Sequence, residues 1–273
     1  MKNDSFKFSF KVSGTERKVI ASVIAAALMT EADYAGAPSF SYKAGGWVVD
    51  REGSVSTPET PIEEKESIRP VLDALKTAGA TAGESATVTF SLDGHNGNTI
   101  RNIINLIWSK QTLIQKSFGR QSAILPESLV TAINAVPIDS LDDFAKAIND
   151  GIDSGEIQGE SELDFDLAEK TISFSFANAT LDTDEALAFI TLCRQINEQA
   201  KQQKFSSTRQ KETDNDKFSF RVWLIRLGFV GATFATDRKV LLARLTGDAA
   251  FRTETARQTA EAKRKAKQVS ADA

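Results

Sequence analysis

The sequence predicts an α+β fold: an antiparallel-rich sheet, or sheets, covered by helices, built from tandem β-α-β-β-α repeats and followed by a small C-terminal helical module. Three observations predict it. Segments of apolar/polar alternation, "SFKFSFKV" (5–12), "ATVTFSLDG" (86–94) and "LDFDLAEKTISFSFANA" (163–179), are interleaved with segments of helical period. The order strand, helix, hairpin, helix occurs twice. A polar stretch, "FSSTRQKETDND" (205–216), then separates this body from a C-terminal part with helical periodicity alone.

In the first strand Phe6, Phe8, Phe10 and Val12 share one face, while Ser5, Lys7, Ser9 and Lys11 share the other. "SGT" breaks it, and Ser13 or Thr15 is placed to cap a helix whose Val19, Ile20, Val23, Ile24 and Leu28 recur at helical spacing. "PSFSYKAGGWVVDREG" (38–53) reads as a hairpin, with Gly45–Gly46 turning the chain between Tyr42 and Trp47. "TPETPIEEKESIRPVLDALKTAG" (57–79) has a Thr-Pro-acidic helix start and stops at Gly79. Pro70 inside it predicts a break or restart.

The second half, 83–204, follows the same order. Its strand covers 86–94. A helix over 98–116 puts Ile100, Ile103, Ile104, Ile107 and Leu113 on its apolar side. An insertion at about 120–160 carries short helices around "PESLVTAINAV" and "SLDDFAKAINDGI". A hairpin over 163–179 turns near Ala168–Lys170, and a helix with an acidic, capped start runs over 182–204. The divisions are therefore 1–82, 83–204, the linker 205–216, a basic helical module 217–250 and a basic tail 251–273.

The module poses a puzzle, because "KFSFRV" (217–222) nearly repeats "KFSFKV" (7–12). Its flanks differ: Phe218, Val222, Ile225 and Phe229 lie at i, i+4, i+7 and i+11. The same six residues should be strand at one end of the chain and helix at the other. A turn over Gly228–Gly231 follows. Thr233 or Thr236 then starts a helix with Val240, Leu241, Leu242 and Leu245, ended by Gly247.

The chain has 273 residues and net charge −4. From residue 205 onward there are 14 Lys+Arg against 8 Asp+Glu, +6, while the first 204 residues hold 19 against 29, −10. No apolar run is long enough to span a membrane. "VIASVIAAALM" (19–29) lacks a basic start and reads as a buried helix rather than an export signal. One cysteine, Cys193, excludes an intramolecular disulfide and a Cys-rich zinc site, and points to a reducing cytoplasm.

Catalytic equipment is sparse. His95, in "DGHNGN" (93–98), is the one histidine. It either serves as an acid or base near Asp93, or it is part of a Gly/Asn-rich turn, the reading we favour. No Walker or Rossmann glycine spacing occurs. The carboxylates of "LDFDL" and "LDTDE" are explained by strand faces and a helix N-terminus, so no metal and no cofactor are expected. Cys193 and the tryptophans 47, 108 and 223 read as packing residues.

"ADYAGAPSFSYKAGGWVVDREGSV" (32–55) and "FSFRVWLIRLGFVGATFATDRKVLLARLTGDAAF" (218–251) resemble proteins called "virulence-related" on conjugative elements and prophages of Firmicutes. The resemblance rests on Tyr34, Gly36 and Pro38, on Gly46, Asp50–Arg51 and Gly53, and on Leu227–Gly228–Phe229. Arg238–Lys239, Leu241–Leu242, Leu245, Gly247 and Phe251 add to it. Ala232–Thr233 and Asp248 depart from its pattern. It implies a mobile-element setting and no catalytic residues.

Together with the charge split, this predicts a non-catalytic accessory protein. Its basic end, Arg221, Arg226, Arg238, Lys239, Arg244, Arg252, Lys263, Arg264 and Lys265, would bind nucleic acid or a host nucleoprotein. Three alternatives stand beside it. The acidic body acts as a protein–protein inhibitor of anti-CRISPR or anti-restriction type, the basic end packs against that body and closes the charge contrast internally, or the chain is an enzyme with His95 as its general base. A small-molecule ligand is not expected.

Overall fold

The computed structural model describes residues 4–253, 255–260 and 262–263. One sheet of nine strands organises the chain: β1 (Ser5–Ser13), β2 (Ala32–Tyr34), β3 (Tyr42–Ala44), β4 (Trp47–Val49), β5 (Ser54–Ser56), β6 (Thr60–Pro61), β7 (Thr81–Ser91), β8 (Leu163–Asp166) and β9 (Thr171–Ala177). The order is β2-β3-β4-β5-β1-β7-β9-β8, with β6 pairing the start of β1. Every pairing is antiparallel. The long strands β1 and β7 pair at the centre, and each is flanked by the second strand of a hairpin, β5 beside β1 and β9 beside β7.

Alternation fixes what each face does. Phe6, Phe8, Phe10 and Val12 of β1, Val88 and Phe90 of β7, and Ile172, Phe174 and Phe176 of β9 are all buried on the inner face. Phe174 meets Phe90 and Phe176 edge to face, with centroids 6.1 and 6.2 Å apart. The helices pack on this face: α1 (Arg17–Ala27), α2 (Arg69–Thr77), α3 (Gly97–Trp108), α4 (Gln111–Phe118), α5 (Glu127–Ala135), α6 (Leu141–Asp153) and α7 (Thr183–Gln202). α7 is the central helix, buried along most of its length and packed against α3.

Several boundaries differ from expectation, each for a local reason. The helix expected over 57–79 begins as strand β6, passes through a 3-10 turn (Ile62–Ile68) and becomes α-helical at Arg69, with Pro70 in its first turn, where the missing N–H costs nothing. The helix expected over 98–116 is two, α3 and α4, because the chain breaks at Ser109–Lys110. Neither Ser13 nor Thr15 caps α1; Glu16 stands at its N-cap with no side-chain bond. The short strands β2, β5 and β6 carry too few residues for alternation to announce them.

The linker 205–216 is not a free tether. Asn98 and Asn102 of α3 donate to the carbonyls of Lys204 (3.0 Å) and Gln203 (2.7 Å), and Asn105 donates to that of Ser206 (3.0 Å). Gln210 returns a bond to the Trp108 carbonyl (3.0 Å). The segment is strapped along one helix, and the asparagines' spacing of i, i+4 and i+7 makes this possible.

The near-repeat resolves as expected: residues 7–12 lie in β1, and 217–222 lie in α8 (Asp216–Arg226). The buried stripe of α8 is not the expected one. Phe220, Trp223, Leu224 and Leu227 are buried, whereas Phe218 and Val222 are half-buried and Ile225 is exposed. Two apolar stripes compete on this helix, and the body selects the bulkier. α9 (Ala235–Leu242) follows, with Phe234 rather than a threonine at its N-cap, and Leu241, Leu242 and Leu245 packed inward.

Candidate functional site

Of the nine basic residues predicted as a binding end, the seven described are not gathered into one free cluster. Arg238 donates to the Phe229 carbonyl (2.9 Å) within the module. Arg244 reaches the body, donating to the Ser117 carbonyl (3.2 Å) and pairing with Glu185 (2.5 Å). Arg221 is half-buried, and Arg226, Lys239, Arg252 and Lys263 are exposed. Arg264 and Lys265 lie outside the described residues. Two further ion pairs join module to body with the reverse polarity, Lys65 to Asp237 (3.2 Å) and Lys116 to Asp216 (2.6 Å). The module is a packed part of the body rather than an appended cationic arm.

His95 lies in the segment between β7 and α3. Its Nδ1 lies 3.0 Å from Thr99 Oγ1 and its Nε2 2.9 Å from Asn197 Oδ1, so both ring nitrogens are occupied. Burial, with Lys201 nearby, lowers its pKa to about 4. Asn197, wholly buried, leaves its Nδ2 without a partner. Cys193 is fully buried, and burial pushes its thiol well above the usual range. Trp47 and Trp223 are buried among apolar side chains.

Three carboxylates of "LDFDL" and "LDTDE" have partners within the protein. Asp166 accepts from the Ala168 and Glu169 N–H groups (3.0 and 2.8 Å), Asp182 caps α7 through Glu185 N (3.2 Å), and Asp184 pairs with Arg69 (3.1 Å). Among the described residues no group of three or more His, Cys, Asp or Glu side chains could hold a metal ion.

What remains is the outer face of the sheet. Its residues are set by register. One row runs Asp33, Lys43, Val48, Ser56, Ser9 and Thr87 across β2 to β7. A second runs Lys7, Thr89, Ser173 and Asp164 from β1 to β8. Hydroxyl pairs bridge the strands, Thr87 Oγ1 to Ser175 Oγ at 2.9 Å and Thr89 Oγ1 to Ser173 Oγ at 2.8 Å. Ser54 lies beside Lys11 at the β1–β5 edge of the same surface. The result is a broad polar platform, hydroxyl at its centre, with lysine ammoniums of Lys7 and Lys11 standing on β1. Sequence alternation displayed these residues, yet serine and threonine on a solvent face carry no signal of their own. Only the register shows that they join into one surface.

The family model described as "Putative amidoligase enzyme" matches residues 41–197, more than half of the chain. The match runs from the edge of β3 through most of α7, and so contains seven of the sheet's nine strands. No curated protein matches the chain. The family match overturns the expectation of a non-catalytic accessory protein: the body expected to be a passive acidic platform is the part that matches an enzyme family. No helix among the described residues is long and apolar enough to cross a membrane.

Proposed function

The chain belongs to this amidoligase family, and on that premise we propose that it takes part in joining a carboxylate to an amine, with the outer sheet face as the working surface. The observation that supports this is that the matched region contains seven of the nine strands of the sheet, β1 with Lys7 and Lys11 and β2 preceding it.

The chemistry asks for two things from such a surface. The carboxylate must be held and its charge offset, and the amine must approach the carboxyl carbon in its unprotonated form. Lys7 and Lys11, on the central strand β1, are the cations placed for the first task, as point charges on flexible stems, while Lys43 on β3 stands beside Asp33 toward the edge. The Thr89–Ser173 and Thr87–Ser175 pairs offer hydroxyls that accept from an amine or donate to a carboxylate. Being fixed by the strands, they orient a ligand at little entropic cost.

Amide formation in water also needs the carboxyl oxygen turned into a better leaving group, commonly through a nucleotide phosphate with Mg²⁺ held by one or two carboxylates. The platform's residues do not fit such a cation. Of its carboxylates, Asp33 stands on β2 at one edge and Asp164 and Asp166 on β8 at the other, Asp166 engaged with the Ala168 and Glu169 N–H groups, and six strands separate the two edges. At ~4.8 Å per strand they are about 34 Å apart. Nothing among the described residues brings three acidic or imidazole ligands together. What this chain's own residues supply is therefore binding and orientation.

The test is a product assay. The protein is incubated with ATP, MgCl₂, each of the amino acids as carboxyl donor, and amino acids or diamines as acceptors, and amides are sought by mass spectrometry. Amide product that falls at least tenfold in K7Q/K11Q supports the reading. No product from any pair, or product indifferent to that double variant, overturns it. A single cysteine and the absence of a membrane-length helix are consistent with action in the cytoplasm, which is part of the proposal.

A further inference from the structure

On the opposite side of the molecule, a groove of about 1150 Å³ runs between the start of α4, the strap 211–215, α8 and the segment 247–253. Its floor is apolar: Leu113 and Trp223 are buried there, and Phe218, Val222 and Phe251 are half-buried. Three cations gather at one end of it, Lys110 where α4 begins, Lys211 on the strap and Arg226 at the close of α8. The strap is tied to the end of α3 here, because Gln210, next to Lys211, donates to the Trp108 carbonyl.

Among the described residues none of the three charged ends has an ion pair or a hydrogen bond, unlike Lys65, Lys116 and Arg244 nearby. Lys110 is held below the usual lysine range by burial first, then by Lys211 and Arg226. Among the described residues no carboxylate pairs with it. The groove's acidic groups do not serve: Asp248 accepts from the Ala250 and Phe251 N–H groups (2.6 and 3.1 Å), and Glu212 and Asp214 make no ion pair. Three like charges beside an apolar floor are an unfavourable arrangement that a bound anion would relieve.

We propose that this groove binds an organic carboxylate, its anionic head between Lys110, Lys211 and Arg226 and its apolar body over Trp223, Val222 and Phe218. A single negative charge suits it better than a phosphate dianion or a polyphosphate, because Glu212 and Asp214 stand on the same groove and would repel added charge. The site is separate from the sheet platform, and it does not depend on the reaction proposed there.

Calorimetric titration with three probes tests it: 4-phenylbutyrate, its uncharged amide and inorganic phosphate. Phenylbutyrate should bind at one site, and the amide should bind about tenfold more weakly or worse, the loss expected for one charge-assisted hydrogen bond. K110Q and R226Q should each lower the affinity for the acid by a similar factor and leave the amide unchanged. F218A should weaken both. Arg226 is exposed, so R226Q carries the test if K110Q fails to fold. Equal binding of acid and amide, or acid binding untouched by both charge variants, overturns the proposal. So does phosphate binding as tight as phenylbutyrate. A 20-base-pair duplex bound more tightly than any of them, and lost in the same variants, would make the groove a polyphosphate surface and overturn it as well.

Discussion

Replacing Lys65 by methionine probes what holds the C-terminal module to the body. Lys65 comes from the 3-10 turn ahead of α2, and its Nζ bridges Asp237 Oδ2 (3.2 Å) on α9 and Thr191 Oγ1 (2.5 Å) on α7. The Asp237 side chain is 6% exposed and that of Lys65 20%. Removing one partner of a fully buried pair costs about 3–5 kcal/mol, and partial access of water to Lys65 lowers the expected cost to about 2–3 kcal/mol. The penalty should depend on pH. Burial already raises the Asp237 carboxyl above the usual carboxylate range, against the opposing pull of Lys65. A carboxyl raised in the folded state binds more protons folded than unfolded between its two pKa values, so stability falls as pH rises through that window. K65M removes the main opposing charge and extends the window upward. The penalty is therefore largest near neutral pH and smaller at the acidic end, toward about pH 4.5, because the variant's Asp237 takes up a proton more readily than the parent's. Urea unfolding of both proteins at the two pH values measures it. Protonation of His95 enters parent and variant alike and cancels in the difference. The double variant K65M/D237L removes both charges and should recover most of the loss. A penalty under about 0.5 kcal/mol, or one equal at both pH values, refutes the idea that this pair anchors the module.

Three other outcomes follow from particular residues. His95, the one histidine, should give an imidazole NMR signal that does not titrate between pH 7 and 5. Because its folded pKa is lowered, its contribution to stability is present above the free value of 6.5 and is lost as pH falls toward about 4; a midpoint near 6.5 would show an open ring. On α8, Phe220→Ala should cost about 3–5 kcal/mol and Phe218→Ala about 1 kcal/mol, read by chemical denaturation; the reverse order would mean the helix is turned the other way. Gly97→Ala places a methyl 2.4 Å from Ile138 Cγ2 and 2.5 Å from the Ser140 carbonyl. It should cost about 1–3 kcal/mol despite better helix propensity, and a gain in melting temperature would refute that close approach.

Much of the fold was legible because alternation and helical period are local signals. β1, β7, the 163–179 hairpin and α7 are long enough for their period to dominate. The split of the near-identical hexapeptides into strand and helix was legible too, since the flanking residues set the period. Among the three-residue strands, β3 and β4 were legible from the Gly45–Gly46 turn between them, but β2 and β5 were not, since they exist only because β3 and β1 offer them edges. The stripe of α8 was misassigned because the sequence holds two of them, and only the docking of Phe220 and Trp223 against the body chooses.

The site divides in the same way. By itself the sequence determined the alternating faces, the unequal charge of the two ends and the lack of a cysteine or histidine cluster, since these need only residue type and spacing. Only the tertiary structure decided what the charges do. It spends Arg238 and Arg244 on packing, runs two of the module's ion pairs against the expected polarity, and leaves Lys110, Lys211 and Arg226 together with no ion pair among the described residues. It likewise turns scattered serines and threonines into one platform. The physical reason is that charge and hydroxyl groups act over a few ångströms, and which groups come that close is set by register and helix docking between segments a hundred residues apart.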